Sequence, residues 1–339
     1  MQFTLADVLY NLIALLAFGA LLLAVVRARR QPLWAEAYRR LGRNRVAMTT
    51  LCILLLYGTV ALLDSVGWTD KATHSRHTVL DSLFKRPAER TYSAPLASMT
   101  TGEPVAHKLI NPGSHLLGTD QLGNDVLYQT LRGARTAVIV GGLTSLLATP
   151  IALFLGLMAG YFGKRVDDTV QYTYTVLSSI PDLLLLIALL MMLGPGLVQI
   201  CVALAVTSFV GLCRLVRGET LKHRDRDYVR AAKSLGVPSG RILWRHILPN
   251  LLPVVIISVT LGFSGLVLAE STLSYLGVGV QQDTGSWGNM INAARAELAR
   301  DPIIWWNLTA ASVALSLLAL SLNIFGDALR DAIDPRLRS

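Results

Sequence analysis

Seven stretches of this 339-residue chain are long and apolar enough to cross about 30 Å of hydrocarbon at about 1.5 Å of helix per residue. They cover residues 8–26, 46–63, 137–162, 169–193, 196–213, 251–276 and 303–325. Barrel strands are about ten residues long and alternate polar with apolar side chains, so these long runs exclude a closed barrel. Composition agrees: 53% of residues are hydrophobic and 16% are charged, against about 25% charged in soluble domains. A soluble globule and a disordered chain are both excluded. The expected fold is all-α, an integral membrane protein of seven transmembrane helices.

The net charge of +9 suits nucleic acid or a membrane topology, and its distribution favours topology. Of the 31 Lys and Arg residues, 21 fall in the loops after the first, third and fifth stretches and in the tail after Phe325. The positive-inside rule makes these segments cytoplasmic and places the N-terminus outside. Asp7 precedes the first apolar stretch while Arg27, Arg29 and Arg30 follow it, which fits an uncleaved anchor better than a signal peptide. The basic cluster 27–45 is suited to attract anionic membrane lipid. Cys52, Cys201 and Cys213 lie inside apolar stretches, so no disulfide framework is visible.

Two loops carry pattern. Residues 64–135 begin as irregular outer chain with Pro87, Pro95, Gly102 and Pro104. They end in a denser segment where Thr119 or Asp120 is expected to cap a helix through Val126, Leu127 and Leu131. That segment reads either as a structured entry into the membrane or as a docking surface. In the fifth loop, 214–250, Asp225 or Asp227 is expected to cap a helix over 228–235. Gly236 suits its left-handed end and Pro238 prevents continuation. Ser239 then caps a second helix that Pro249 ends at the membrane boundary. Ala231 and Ala232 permit close approach, ringed by Arg224, Arg226, Arg230 and Lys233. Pattern alone leaves two readings open: a knob for a groove on a partner protein, or a solvated basic loop.

Tyr228-Val229-Arg230-Ala231-Ala232-Lys233-Ser234-Leu235-Gly236, followed by Arg245-His246-Ile247-Leu248-Pro249-Asn250, resembles the cytoplasmic "EAA" loop of ATP-binding-cassette importer permeases. The narrower resemblance is to the dipeptide/oligopeptide permease subunits. Further motifs occur in order: Leu117-Gly118-Thr119-Asp120-Gln121-Leu122-Gly123-Asn124-Asp125-Val126, Gly160-Tyr161-Phe162-Gly163 and Leu268-Ala269-Glu270-Ser271-Thr272-Leu273-Ser274-Tyr275-Leu276-Gly277. Ser286-Trp287-Gly288-Asn289-Met290 and Gly326-Asp327-Ala328-Leu329-Arg330-Asp331-Ala332-Ile333-Asp334-Pro335-Arg336 complete the series. The resemblance runs from Val46 to the C-terminus. Arg230 stands where the general motif has Glu, and the first apolar stretch is extra to the usual six.

The resemblance implies a type I importer permease core in spans three to seven, with one extra N-terminal span. It implies an anchor and basic loop at 1–45, a span with a long periplasmic loop at 46–135, a permease domain at 136–327, and a cytoplasmic tail at 328–339. It also implies that Tyr228, Arg230, Ala231, Ala232, Lys233, Gly236, His246 and Pro249 form an ATPase-coupling loop, with Ala231, Ala232 and Gly236 as the contact. The expected partners are a second permease, two ATPase subunits and an external solute-binding protein. This chain has no Gly-x4-Gly-Lys-Ser/Thr loop, because Gly163-Lys164 is followed by Arg165, so ATP and Mg are assigned to the ATPases. The solute is left open among peptides, nickel chelates and some sugars.

Four smaller readings complete the expectations. Asp182 and Glu270 lie in otherwise apolar runs and are candidates for the transport pathway or for buried structural carboxylates. Gly156 and Gly160 are candidates for helix packing. Lys164, Arg165, Asp167 and Asp168 are read as a cytoplasmic turn, and Trp287, Trp305 and Trp306 as an outer interfacial belt. His74 and His77 have no neighbouring Cys or carboxylate cluster, so no metal site is expected. The alternative class is a membrane enzyme acting on lipid-linked or cell-wall precursors.

Overall fold

The computed structural model describes residues 5–28, 32–69, 76–102 and 105–333. Arg29, Arg30, His74, Arg336, Arg338 and the motif end Asp334-Pro335-Arg336 lie outside these residues. The helices are α1 (Leu5–Ala28), α2 (Pro32–Arg43), α3 (Arg45–Ser65), α4 (Val79–Phe84), α5 (Val126–Phe162), α6 (Lys164–Ser178) and α7 (Asp182–Leu193). Then follow α8 (Leu197–Arg224), α9 (Asp227–Ser234), α10 (Ser239–Ile242), a π-helical turn (Leu243–Ile247), α11 (Leu248–Tyr275), α12 (Trp287–Glu297) and α13 (Trp306–Ile333). A two-stranded antiparallel ribbon joins β1 (Gly67–Thr69) to β2 (Arg76–Thr78).

Among the described residues, five helices are long and apolar enough to cross a membrane: α3, α5, α8, the continuous run Ser239–Tyr275, and α13. The expected single span over 169–193 is instead the pair α6 and α7, bent by 86°. Pro181 explains the break. It has no N–H to continue the helical ladder, and it restricts Ile180 before it. The chain tightens through Ser179 N–H to Val176 O and Ile180 N–H to Leu177 O, and Pro181 O then accepts from Leu185 N–H to start α7. Counting the pair as one span gives six. The 24-residue α1 occupies the first apolar stretch.

The chain divides into two compact units, Met1–Ile139 with Val267–Ser339, and Val140–Leu266. In the first, α3 packs on α13, and the Tyr57 hydroxyl of α3 donates to Ala314 O at 2.8 Å. The described part of the loop 66–125 of this unit is more ordered than irregular surface chain. The Thr78 hydroxyl and the Asp81 carboxylate cap α4 reciprocally. Glu89 is buried, where its carboxylate accepts the N–H groups of Ile110 and Asn111 at 2.8 and 2.9 Å. Burial alone would raise the Glu89 carboxyl; those N–H groups and His115 overcome it and hold the carboxyl below its ordinary value.

His115, also buried, faces Asp125 at 2.8 Å through Nδ1 and Glu89 at 3.3 Å through Nε2. Asp125, rather than Thr119 or Asp120, caps α5, accepting from Leu127 N–H and Tyr128 N–H. The two expected caps are committed elsewhere: the Thr119 hydroxyl donates to Thr91 O, and Asp120 closes its own turn on Leu122 N–H and Asn124 N–H. The tryptophans also differ from expectation. Trp287 and Trp306 are core residues whose indole N–H groups donate to Thr130 O and Thr119 O, both at 2.9 Å, and only Trp305 is exposed. Their indole N–H groups find backbone acceptors inside the protein rather than at a lipid interface.

In the second unit, Gly156 and Gly160 of α5 lie against α8. A Cβ on Gly156 would meet Cys213 O and Val216 Cβ at 2.8 Å, and one on Gly160 would meet Thr220 Cβ at 2.6 Å and Arg217 O at 2.7 Å. The residues Lys164 to Asp168 form the first turn and a half of α6 rather than a turn, and Asp167 takes a two-point ion pair from Arg217 at 2.5 and 2.7 Å. Helix α8 therefore continues well beyond the apolar stretch 196–213, because polar residues extend it to Arg224. Replacing Gly160 by Leu should lower thermal stability by about 1–3 kcal/mol through overpacking. Gly142→Leu, at a position open within 4 Å, should be tolerated. Melting of the two variants in detergent makes the comparison.

Candidate coupling site

The elbow 225–250 is built on a buried anchor. Val229 and Ala232, three residues apart on α9, share one face. They pack with Ile242, Leu243 and Ile247 onto Leu157 and Tyr161 of α5 and Val216 of α8. Gly236 ends the helix with φ +73°, a backbone that only glycine adopts without strain. Val237 N–H returns to Ala232 O and Gly236 N–H to Lys233 O, which closes the end. Arg226, not Asp225 or Asp227, is the residue before α9, and no side chain caps it. Asp227 sits in its first turn and receives Arg230 at 2.5 Å.

Pro249 does not end the second helix. The residues 243–247 widen to a π-turn in which Leu248 N–H reaches back to Leu243 O. That extra residue absorbs the register that a proline would otherwise break, and the helix continues to Tyr275. Asn250 Nδ2 donates to His246 O at 2.6 Å, supplying a donor on this stretch.

The helical period divides the alanine pair: Ala232 is buried and Ala231 is exposed. Tyr228, Arg230, Lys233 and Gly236 are exposed, while His246 is half-buried and Pro249 exposed. Lys233 Nζ lies 4.8 Å over the Tyr161 ring, and the Tyr228 hydroxyl lies 2.7 Å from His223 Nδ1. Burial raises the Tyr228 phenol above its ordinary value. Two further residues, which the sequence reading passed over, complete the outer surface. Leu235 is 83% exposed and Trp244 is 58% exposed. For Trp244 the signal was available, since it falls off the inward face defined by Ile242 and Ile247; Leu235, three residues after Ala232, is exposed because the helix ends at Ser234.

Asp182 and Glu270 occupy unlike settings. Asp182 is exposed in the first turn of α7, just after the break, where a carboxylate suits the helix N-terminus. Glu270 is 1% exposed and accepts the hydroxyls of Ser274 at 2.7 Å, Ser286 at 2.8 Å and Ser271 at 3.3 Å. Ser286 also accepts Gly288 N–H at the start of α12. Glu270 thus ties the end of α11 to α12. His77 lies in β2, and among the described residues no group of three His, Cys, Asp or Glu is placed to hold a metal.

Comparison with known proteins assigns these membrane helices to a transport-system permease. Residues 152–339 match the family described as binding-protein-dependent transport system inner membrane component, and the chain belongs to it. It is 35% identical to the dipeptide transport system permease protein DppC of Bacillus subtilis, over 89% of this chain and 86% of that protein. It is 30% identical to the oligopeptide transport system permease protein OppC of the same organism, with 90% of each chain covered. A probable peptide ABC transporter permease of Sinorhizobium fredii is 39% identical over 71% of this chain and 83% of its own. The fold is also that of a chain of the inward-facing MetNI methionine ABC transporter, with TM-score 0.50, 20% identity, and coverage of 62% of this chain and 98% of that one. The relatives are permeases, so the chain is a permease rather than an enzyme, and the membrane-enzyme alternative has no support.

Replacing Glu270 by Ala leaves three buried hydroxyls without their shared acceptor. Each orphaned group costs about 1–3 kcal/mol, so detergent melting should fall sharply. An unchanged melting temperature would remove Glu270 from this structural role.

Proposed function

We propose that the chain is one permease subunit of an ATP-driven importer of peptides or related small solutes. It pairs with a second, similar permease. Two ATPase subunits, which carry ATP and Mg, dock on the cytoplasmic elbows, and an external binding protein delivers the solute. The observation that supports this most directly is the two-sided elbow. Val229 and Ala232 lock it to α5 and α8, while Ala231, Leu235 and Trp244 remain exposed on the other side. A rigid seat transmits displacement, and exposed apolar groups within a basic surround suit a partner groove. In this reading α1 is the seventh span, the N-terminus is outside and the C-terminus cytoplasmic. The permease domain 136–327 carries alternating access.

Relatives named for dipeptides and oligopeptides support the peptide class. The glutathione transport system permease of Pectobacterium atrosepticum, 35% identical over 67% of this chain, keeps small peptide-like solutes within it. In proteoliposomes holding the full transporter, Ala231→Trp should cut peptide uptake at least about tenfold while the ATPase subunits still hydrolyse ATP, the signature of a broken coupling contact. Ala232→Trp should instead destroy the seat and lower the yield of folded protein. Undiminished uptake by Ala231→Trp would remove the elbow from coupling.

A further inference from the structure

The arginines at one end of α1, α2 and α3 have an arrangement that topology alone does not require. Asn11 Nδ2 donates to Gly67 O at 2.7 Å, and Asp7 accepts Thr69 N–H at 3.0 Å and the Thr69 hydroxyl at 2.9 Å. These contacts hold the start of α1 beside the chain just past the end of α3. The two helices are therefore antiparallel, and Arg27 closes α1 on the side where Arg45 opens α3. Between them runs α2. Its buried residues Ala37 and Leu41 lie one turn apart, and Leu41 packs with Ala47 of α3 on Leu329 of α13. On its opposite face Arg39 and Arg43 are exposed, again one turn apart.

The hydrocarbon boundary is marked by the neighbours of these cations. Val26 is exposed immediately before Arg27, and Val46 and Met48 are exposed immediately after Arg45. Apolar side chains left bare on membrane helices face lipid tails, so Arg27 and Arg45 stand at headgroup depth. Glu36 is spent on Arg40 at 2.7 Å. Among the described residues, Arg27, Arg39, Arg43 and Arg45 have no ion pair. Four exposed guanidinium forks therefore flank an exposed apolar strip.

We propose that this surface binds the headgroups of anionic phospholipid, with the acyl chains against Val26, Val46 and Met48. The guanidinium fork matches phosphate oxygens, and the adjoining apolar strip selects an amphiphile over a soluble anion. The assignment of the site to the cytoplasmic leaflet rests on the orientation proposed above. The binding itself does not.

The test uses the assembled transporter in nanodiscs of equal phosphatidylglycerol and phosphatidylcholine, with retained lipid counted by native mass spectrometry. The wild type should keep phosphatidylglycerol over phosphatidylcholine at least about fivefold. The triple variant Arg39→Gln, Arg43→Gln, Arg45→Gln should fall to parity, and the corresponding triple Lys variant should retain part of the preference. Parity in the wild type, or full preference in the Gln variant, overturns the proposal. A Lys variant that keeps the full wild-type preference would overturn the fork geometry, because diffuse positive charge would then suffice. A Gly42→Cys variant, exposed on the same face, reports orientation separately through a membrane-impermeant maleimide. Labelling from the outside would refute the leaflet assignment and leave the lipid preference standing.

Discussion

In hydrocarbon a peptide N–H or C=O has no water to bond, so the backbone must satisfy itself within helices, and irregular chain is confined to places where protein or solvent supplies partners. This constraint explains where the molecule bends. Pro181 opens the ladder between α6 and α7, and Ser179, Ile180 and Leu185 re-pair their N–H groups locally around it. At Pro249 the chain takes the other solution. A π-turn shifts the register by one residue and Ser239–Tyr275 continues unbroken, so the outer half of the elbow and a membrane helix are one piece.

That continuity gives the elbow its mechanical character. Val229 and Ala232 on α9, with Ile242, Leu243 and Ile247 on the turn that follows, are buried in one core with α5 and α8. A force applied at Ala231 or Leu235 reaches those helices through close-packed side chains, which are stiff. The glycine contacts of Gly156 and Gly160 and the Asp167–Arg217 pair bind α5 and α6 to the same α8. The long loop between α3 and α5 is built on a different principle. There the buried Glu89, His115 and Asp125 cluster and the Trp306 N–H bond to Thr119 O hold irregular chain in place with polar contacts.

Much of this was legible in the sequence, and the misses have definite causes. The long apolar runs announced helices because only composition and length were needed. The helix end at Gly236 was readable because a local rule governs it, whereas the cap of α5 at Asp125 was not, since Thr119 and Asp120 obey the same local rule and are diverted by tertiary contacts. The kink at Pro181 was visible as a residue but not as an 86° bend, which depends on packing. The roles of Trp287 and Glu270 rest on partners 157 and 16 residues distant, beyond any local pattern. The division between Ala231 and Ala232 was within reach, since the 3.6-residue period fixes it once Val229 is taken as buried.

The central claim is that the outer face of the elbow meets an ATPase while its inner face belongs to the permease. Site-directed disulfide cross-linking in the assembled transporter addresses it directly. Single cysteines are placed at 231, 232 and 235 of this chain, and each is paired with cysteines across the docking surface of the ATPase subunit. The account predicts cross-links from positions 231 and 235 and none from 232. Cross-linking through 232, or none from 231 and 235 in a complex that still hydrolyses ATP, would contradict it.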